Sequence, residues 1–301
     1  MAFELVETED DAARERVLAP LEAYNEAMTG RGSSEPARWI SILRREGDLV
    51  GGLIGVTYWD WLHVDLLYLP PSWRRSGAGR GIMAACRAVA ARHRLAGVWL
   101  HTFSFQAPGF YRRLGFEEFA ALPDHPVGHT DHYFLHRTRP GGAGPAAAPP
   151  GFTLREAVDP AERRALAAAL RRTTDAAIGP NPRQSLGLLA PGGGGLWGRI
   201  RHRWLFVELL GLPEPARGDG LGTRLLREAE RRAAGRGCVG VYLDTCSFQA
   251  PGFYERLGYT RFGTVPDHPR GHARHLYARR LDGQPLLAHN APPPRQDGTS
   301  A

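Results

Sequence analysis

Ser104-Phe105-Gln106-Ala107-Pro108-Gly109-Phe110-Tyr111 recurs without change as Ser247 through Tyr254. The offset of 143 residues holds far beyond the octapeptide. Upstream, Trp61-Leu62-His63-Val64-Asp65-Leu66-Leu67 returns as Trp204-Leu205-Phe206-Val207-Glu208-Leu209-Leu210, and downstream Pro123-Asp124-His125-Pro126 returns as Pro266-Asp267-His268-Pro269. Only near the start does the spacing change: Phe3-Glu4-Leu5 matches Phe152-Thr153-Leu154, so the second copy is six residues shorter before its first hairpin. A period this long exceeds the 20 to 50 residues of solenoid repeats and marks a duplicated domain.

The punctuation agrees. Arg139-Pro-Gly-Gly-Ala-Gly-Pro-Ala-Ala-Ala-Pro-Pro-Gly151 leaves nothing to pack and reads as a linker. The expected division is a first domain over 1–139, a linker over 140–151, a second domain over 152–282 and a disordered Pro- and Gly-rich tail over 283–301. In each copy, hydrophobic period gives helix, two strands, helix, strand, short helix and two strands. In the first, helices are predicted at 12–27, 79–94 and 107–114, with strands at 49–58, 62–69 and 98–103. Such alternation predicts an α/β domain with one mixed sheet.

Composition removes several functions. The chain has 301 residues, is 43% hydrophobic and 23% charged, and has no apolar run of membrane-spanning length. Its acidic N-terminus lacks the pattern of a secretory signal. All 38 basic residues are Arg, so Walker loops, pyridoxal Schiff bases and lysine nucleophiles are excluded. Cys86, Cys238 and Cys246 form no CxxC pair, which argues against a disulfide framework or zinc knuckle and for a reducing cytoplasm. His125 and His129, like His268 and His272, are four apart, but the Pro and Gly between them forbid a helical metal site, and a loop near the substrate mouth is expected. No metal is expected. The charge is uneven: residues 1–140 hold 16 Arg against 17 acids, and 152–282 hold 21 against 13. The basic residues of the second copy form no stripe interleaved with aromatics, so no nucleic-acid partner is expected.

The junction Arg74-Arg75-Ser76-Gly77-Ala78-Gly79-Arg80 and its counterpart Arg217-Gly218-Asp219-Gly220-Leu221-Gly222-Thr223 share the form Arg-x-x-Gly-x-Gly. Glycines there let a backbone turn tightly against a ligand, and the following helix presents free N–H groups and a positive dipole end. A pyrophosphate suits that environment. Ile82 and Thr223 replace the third glycine of the dinucleotide fingerprint.

With these two matches and the runs Ser104 to Phe116 and Ser247 to Tyr259, the sequence resembles the GNAT superfamily of N-acetyltransferases. The superfamily's acyl-CoA signature is Arg/Gln-x-x-Gly-x-Gly/Ala, and its later motif reads Asn-x-x-Ala-x-x-Phe-Tyr-x-x-Leu-Gly-Phe, with Ser for Asn here. The resemblance implies two mixed, mostly antiparallel sheets flanked by helices. It also implies an acetyl-CoA co-substrate whose pyrophosphate lies on the two glycine turns and whose pantetheine follows Leu67, Tyr68 and Leu69, or Leu210, Gly211 and Leu212. Tyr111 and Tyr254 match the family's general acid. Asp65 and Glu208, at one repeat position on the cofactor strand, are candidate bases or salt-bridged sheet-end carboxylates. His63 lies on the same strand, but its counterpart is Phe206.

The expected activity is transfer of an acetyl or short acyl group to a small-molecule or peptide amine by direct attack. The alternative is an acyl-CoA sensor or scaffold with inactive domains. A monomer is expected, as an internal pseudo-dimer without a membrane partner. Tyr24, Asn25 and the acids of residues 4–26 make the first copy the expected host of a cationic acceptor, whereas Arg199, Arg201 and Arg203 disfavour the second.

Overall fold

The computed structural model describes residues 5–31, 38–46, 48–138, 153–156 and 159–286. The linker at 140–151 and most of the expected tail lie outside them. The first copy contributes β1 (Val6–Thr8), α1 (Asp11–Thr29), β2 (Arg38–Arg45), β3 (Asp48–Tyr58), β4 (Trp61–Tyr68), α2 (Ala78–Arg92), β5 (Gly97–Phe103), α3 (Pro108–Arg113), β6 (Glu117–Pro123) and β7 (Thr130–Arg137). The second repeats the order as β8 (Thr153–Glu156), α4 (Pro160–Ile178), β9 (Gln184–Leu189), β10 (Gly195–Arg201), β11 (Trp204–Gly211), α5 (Leu221–Gly235), β12 (Gly240–Cys246), α6 (Pro251–Arg256), β13 (Thr260–Pro266) and β14 (Ala273–Arg280). β1 and β2 are additions to the elements read from the sequence.

Two seven-stranded mixed sheets result, ordered β6-β7-β5-β4-β3-β2-β8 and β1-β9-β10-β11-β12-β14-β13. Their outer strands are exchanged. β1 pairs antiparallel with β9, Val6 facing Leu189, and β8 pairs antiparallel with β2, Ser41 facing Glu156. The first helices follow their strands. Ala13 and Val17 of α1 are buried against Leu189, Trp197 and Leu209, while Leu166 of α4 is buried against Ile54 and Leu66. Ion pairs hold both crossings: Glu7 with Arg232 and Arg236, and Glu162 with Arg44. Each sheet therefore contains one strand from the other copy, and a cut between residues 139 and 152 separates the two copies of the sequence but not the two sheets.

The opposite sheet faces carry the main cores. Ile82, Met83, Cys86 and Val89 of α2 pack on Leu53, Leu62, Val64, Val98 and Leu100, and Leu225, Leu226 and Ala229 of α5 pack on the equivalent strands. Apolar residues spaced three and four apart on each helix dictate this packing.

The copies join across a pseudo-twofold seam containing Trp61, Trp99, Tyr133, Trp204, Val265 and Leu276. Its polar bonds repeat at the 143-residue offset. Trp61 Nε1 donates to the Asp267 carbonyl at 3.0 Å and Trp204 Nε1 to the Asp124 carbonyl at 2.8 Å. Arg137 pairs with Asp267 at 3.2 Å, and Arg280 with Asp124 at 2.8 Å. Reciprocal contacts of this kind are those of an isologous dimer interface. The Pro-Asp-His-Pro loops are thus part of the seam, with His125 and His268 buried there, and not at an open mouth. No helix among the described residues is long and apolar enough to cross a membrane.

Candidate active site

β4 and β5 run parallel but pair only from Trp61–Gly97 to Val64–Leu100. Past that point β4 pairs only with β3 and β5 only with β7. The β3–β4 register shifts where Ile54 faces Leu66 and Gly55 faces Val64, so Asp65 is the extra residue of a bulge. A bulge bends and twists its strand, and here it opens a notch between the diverging strand ends. The second copy repeats the device: β11 pairs with β12 only from Trp204–Gly240 to Val207–Leu243, and Glu208 is the bulged residue. In both notches the facing edges of the two diverging strands have backbone groups without a sheet partner.

The glycine turns follow the ends of β4 and β11, beside the notches. Gly77 precedes α2 at φ +89° and Gly220 precedes α5 at φ +76°, a left-handed conformation that favours glycine. A side chain added at either would meet nothing within 4 Å, so these positions face open space. Gly79 and Gly222 have a different reason to be glycine. A Cβ on Gly79 would lie 3.2 Å from Phe110 and 3.3 Å from Leu69, and one on Gly222 would lie 3.5 Å from Phe253 and 3.8 Å from Leu212. Helix start, strand end and short helix meet at that point.

Arg74 Nε donates to the Leu69 carbonyl at 3.3 Å and Arg217 Nε to the Leu212 carbonyl at 2.9 Å, so each arginine braces its own turn. Arg75 at φ +66° corresponds to Gly218 at φ +94°. The Ala78 N–H donates to Ser76 Oγ at 3.3 Å, and Asp219 stands at that place in the second copy. Neither first helical turn contains an acid, and Gly79 and Arg80, like Gly222 and Thr223, carry first-turn N–H groups at the positive end of the helix. Ala78 and Leu221 are buried and root the helices.

Leu67 and Leu69, and likewise Leu210 and Leu212, pack at the edge of the helix-side cores. The residues between them point the other way. Tyr68 packs against the cluster of Ile54, Leu66 and Leu166 under α4, and Gly211 lies so close to α1 that a Cβ would approach the Val17 carbonyl to 2.4 Å.

The two bulge carboxylates differ. Asp65 is exposed. Glu208 is mostly buried, 3.0 Å from Arg199 and 3.8 Å from Arg14. Burial raises its pKa above the usual glutamate value, and the charges of Arg199, Arg14 and Arg183 oppose without cancelling that rise. Tyr111 and Tyr254 are both buried on their short helices. Burial pushes both phenols far above the ordinary tyrosine value, assisted by Cys86 at Tyr111 and by Asp244 at Tyr254. Both therefore remain protonated donors. Burial also raises the thiols, Cys86 to about 12 and Cys238 to about 11.

Near the notches, His101, Asp131, Asp244 and Arg274 are residues that the sequence does not single out. His101 Nδ1 lies 3.0 Å from Asp131, which also bonds His125 Nδ1 at 3.1 Å. At the same repeat positions the second copy has Asp244 and Arg274, paired at 2.5 Å, so the sign of each partner is reversed. Each hairpin tip crosses the seam: Trp59 lies edge-on to Phe248 and His268, and His202 to Phe103 and His125. The His63 and Trp99 ring centroids lie 4.2 Å apart, with the planes tilted by 36°. Burial, then His101 and Arg274, holds its pKa well below the ordinary histidine value. Ser104 Oγ accepts from the Thr130 N–H at 3.2 Å and Ser247 Oγ from the Ala273 N–H at 3.1 Å, bracing the next strand. The described residues contain no group of three His, Cys, Asp or Glu able to hold a metal ion.

The chain belongs to the Acetyltransferase (GNAT) family, which it matches over residues 4–116 and 187–259. It is 47% identical over 89 residues to the blasticidin-S acetyltransferase of Streptomyces morookaense, a stretch covering 29% of this chain and 65% of that protein. It is 46% identical over 72 residues to Acetyltransferase Atu2258 of Agrobacterium fabrum, covering 24% and 53% respectively. The chain thus spans less than two thirds of the length of these curated relatives. The crystal structure of an acetyltransferase from Bacillus cereus is 32% identical, with 42% of this chain covering 96% of that one at a TM-score of 0.37.

Proposed function

We propose that this protein transfers an acetyl group from acetyl-CoA to a primary amine, and that the second copy's notch is equipped for the reaction. The observation that carries the reading is the repeated junction of bulged, diverging strand and open glycine turn. The turns Arg74–Arg80 and Arg217–Thr223 suit a pyrophosphate because their N–H groups face open space at a positive helix end. Pantetheine would run along the unpaired strand edge beside Leu67 to Leu69, or Leu210 to Leu212.

Glu208 is the proposed base, because a carboxylate with a raised pKa accepts a proton more readily near neutral pH. It takes one proton from the bound ammonium, directly or through water. The neutral nitrogen attacks the thioester carbonyl, forming the C–N bond; the C–S bond breaks, and the thiolate takes a proton from Tyr254. The tetrahedral nitrogen loses its second proton as the amide forms, and reprotonation of the phenol closes the balance. Unpaired strand N–H groups in the notch stabilise the oxyanion. Asp65 and Tyr111 occupy the same positions in the first copy.

Acceptors of the amine-antibiotic class fit this chemistry, in keeping with the blasticidin-S acetyltransferase relative. The reading suits a monomer in a reducing compartment that supplies acetyl-CoA. The test is turnover of acetyl-CoA with a panel of a polyamine, an amino sugar, a peptide N-terminus and an aminoacyl nucleoside. Acetylated product with at least one is expected; acetyl-CoA binding without transfer to any would favour a sensor.

A further inference from the structure

One helix of the first copy touches three parts of the second copy's notch. Arg14, at its start, lies 3.8 Å from Glu208. Ten residues on, the Tyr24 ring lies against the Arg217 guanidinium at 4.9 Å, which ties α1 to the glycine turn. The Tyr24 hydroxyl donates to the Phe248 carbonyl at 2.9 Å, and Asn25 Oδ1 accepts from Gln249 Nε2 at 2.8 Å. Gln249 Oε1 in turn accepts from Thr245 Oγ1 at 2.9 Å and from the Cys246 N–H at 2.8 Å. Gln249 thus clamps the end of β12 to α1, and the clamped loop leads directly into α6 and Tyr254.

Asn25 is 5% exposed, so its amide has little access to water as an alternative partner. The helix that crosses the first copy's notch lacks this equipment. Thr173 and Thr174 stand where α1 has Tyr24 and Asn25, and their hydroxyls donate to the Ala169 and Leu170 carbonyls of their own helix at 3.1 Å. Among the described residues α4 makes no hydrogen bond to Phe105, Gln106 or Asp65.

We infer that Tyr24 and Asn25 are positioning residues for acyl transfer in the second copy, supplied by the first copy's exchanged helix and acting through the Phe248–Gln249 loop on Tyr254, an inference that rests on the acyltransferase reading above. Neither touches the reacting atoms. Their part is to hold the acid in line with the departing thiolate, and loss of alignment of that kind lowers kcat more than ground-state binding.

The test uses the full chain in a Gly77→Glu background, which silences the first turn and leaves turnover to the second copy. Acetyl transfer to the best amine of the panel is divided by the number of acetyl-CoA sites found calorimetrically, so misfolded protein does not count. Asn25→Leu is expected to lower kcat about tenfold while the KM for acetyl-CoA stays within about twofold. Asn25→Asp keeps an accepting oxygen for Gln249 and is expected to restore most of the loss. Tyr24→Phe, which keeps the ring on Arg217 but not the hydroxyl, is expected to fall between. Unchanged kcat per site in Asn25→Leu, or Asn25→Asp as impaired as Asn25→Leu, would overturn the inference alone. No turnover in the Gly77→Glu parent would overturn it together with the reading of the second copy as an enzyme.

Discussion

Glu208 and Asp65 occupy one position of the duplicated strand in two environments, and the difference is measurable. Removing Arg199 takes away the first of the cations opposing the burial of Glu208, while Arg14, Arg183 and Asp244 remain. The base must be ionised, so activity falls as pH drops through its pKa. We expect Arg199→Met to move the acid limb of kcat/KM upward by about one pH unit; an unmoved limb would remove Glu208 from the base role. Tyr254→Phe is expected to lower kcat by roughly ten- to a thousandfold with little change in acetyl-CoA affinity, because a general acid acts in the transition state. Single-turnover kinetics check this. The His101–Asp131 pair gives a stability test. At Asp131 burial raises the pKa, but the His101 and His125 charges and bonds more than reverse that, so the carboxyl sits well below its usual range. At His101 burial lowers the pKa and Asp131 raises it further, for a net rise. The depressed carboxyl stabilises above about pH 4 and loses this as pH falls; the raised imidazole stabilises below about pH 6.5 and loses this as pH rises through its folded value. The melting-temperature gap between wild type and Asp131→Asn should therefore be widest between those values.

At the scale of elements, the motifs that define the notch were legible, and the exchange of helices was not. The glycines declared a tight turn, the repeated Ser-to-Tyr run declared a short helix, and strand periodicity gave β4 and β5. Periodicity says which face of α1 is apolar; it does not say which of two near-identical sheets that face meets. Ala13 and Val17 would satisfy the 3.6-residue pattern on either, and only the pairing of β1 with β9 decides. For that reason Tyr24 and Asn25, assigned to the first copy from their place in the chain, belong with the second copy's site. The reversal of His101–Asp131 into Asp244–Arg274 was hidden because each member sits on a different strand, 30 residues from its partner. Gly211, where the first copy has Tyr68, does record the crossing: a Cβ there would lie 2.4 Å from the Val17 carbonyl of α1. Gly211→Ala should force the helix outward and cost about 1–3 kcal/mol in urea unfolding, whereas a cost near zero would mean that α1 sits farther from the strand.

For the whole molecule, the reciprocal bonds of Trp61 and Trp204 and the paired ion pairs at Asp124 and Asp267 make the chain a dimer folded from one polypeptide. Its duplication and the form of its sheets follow from the repeat offset, but the intertwining makes neither copy self-sufficient. Residues 1–138 and 153–286 expressed apart would each lack the sheet to which their own first helix belongs, and are expected to give soluble, acetyl-CoA-binding protein only on coexpression. If the two repeated notches hold acetyl-CoA on their glycine turns, calorimetric titration of the full chain registers it. The expected stoichiometry is two sites per chain, falling to one in Gly77→Glu or Gly220→Glu and to none in the folded double variant, where bulk and negative charge occupy the anion's place. A folded double variant that still binds acetyl-CoA at two sites with wild-type affinity would contradict it.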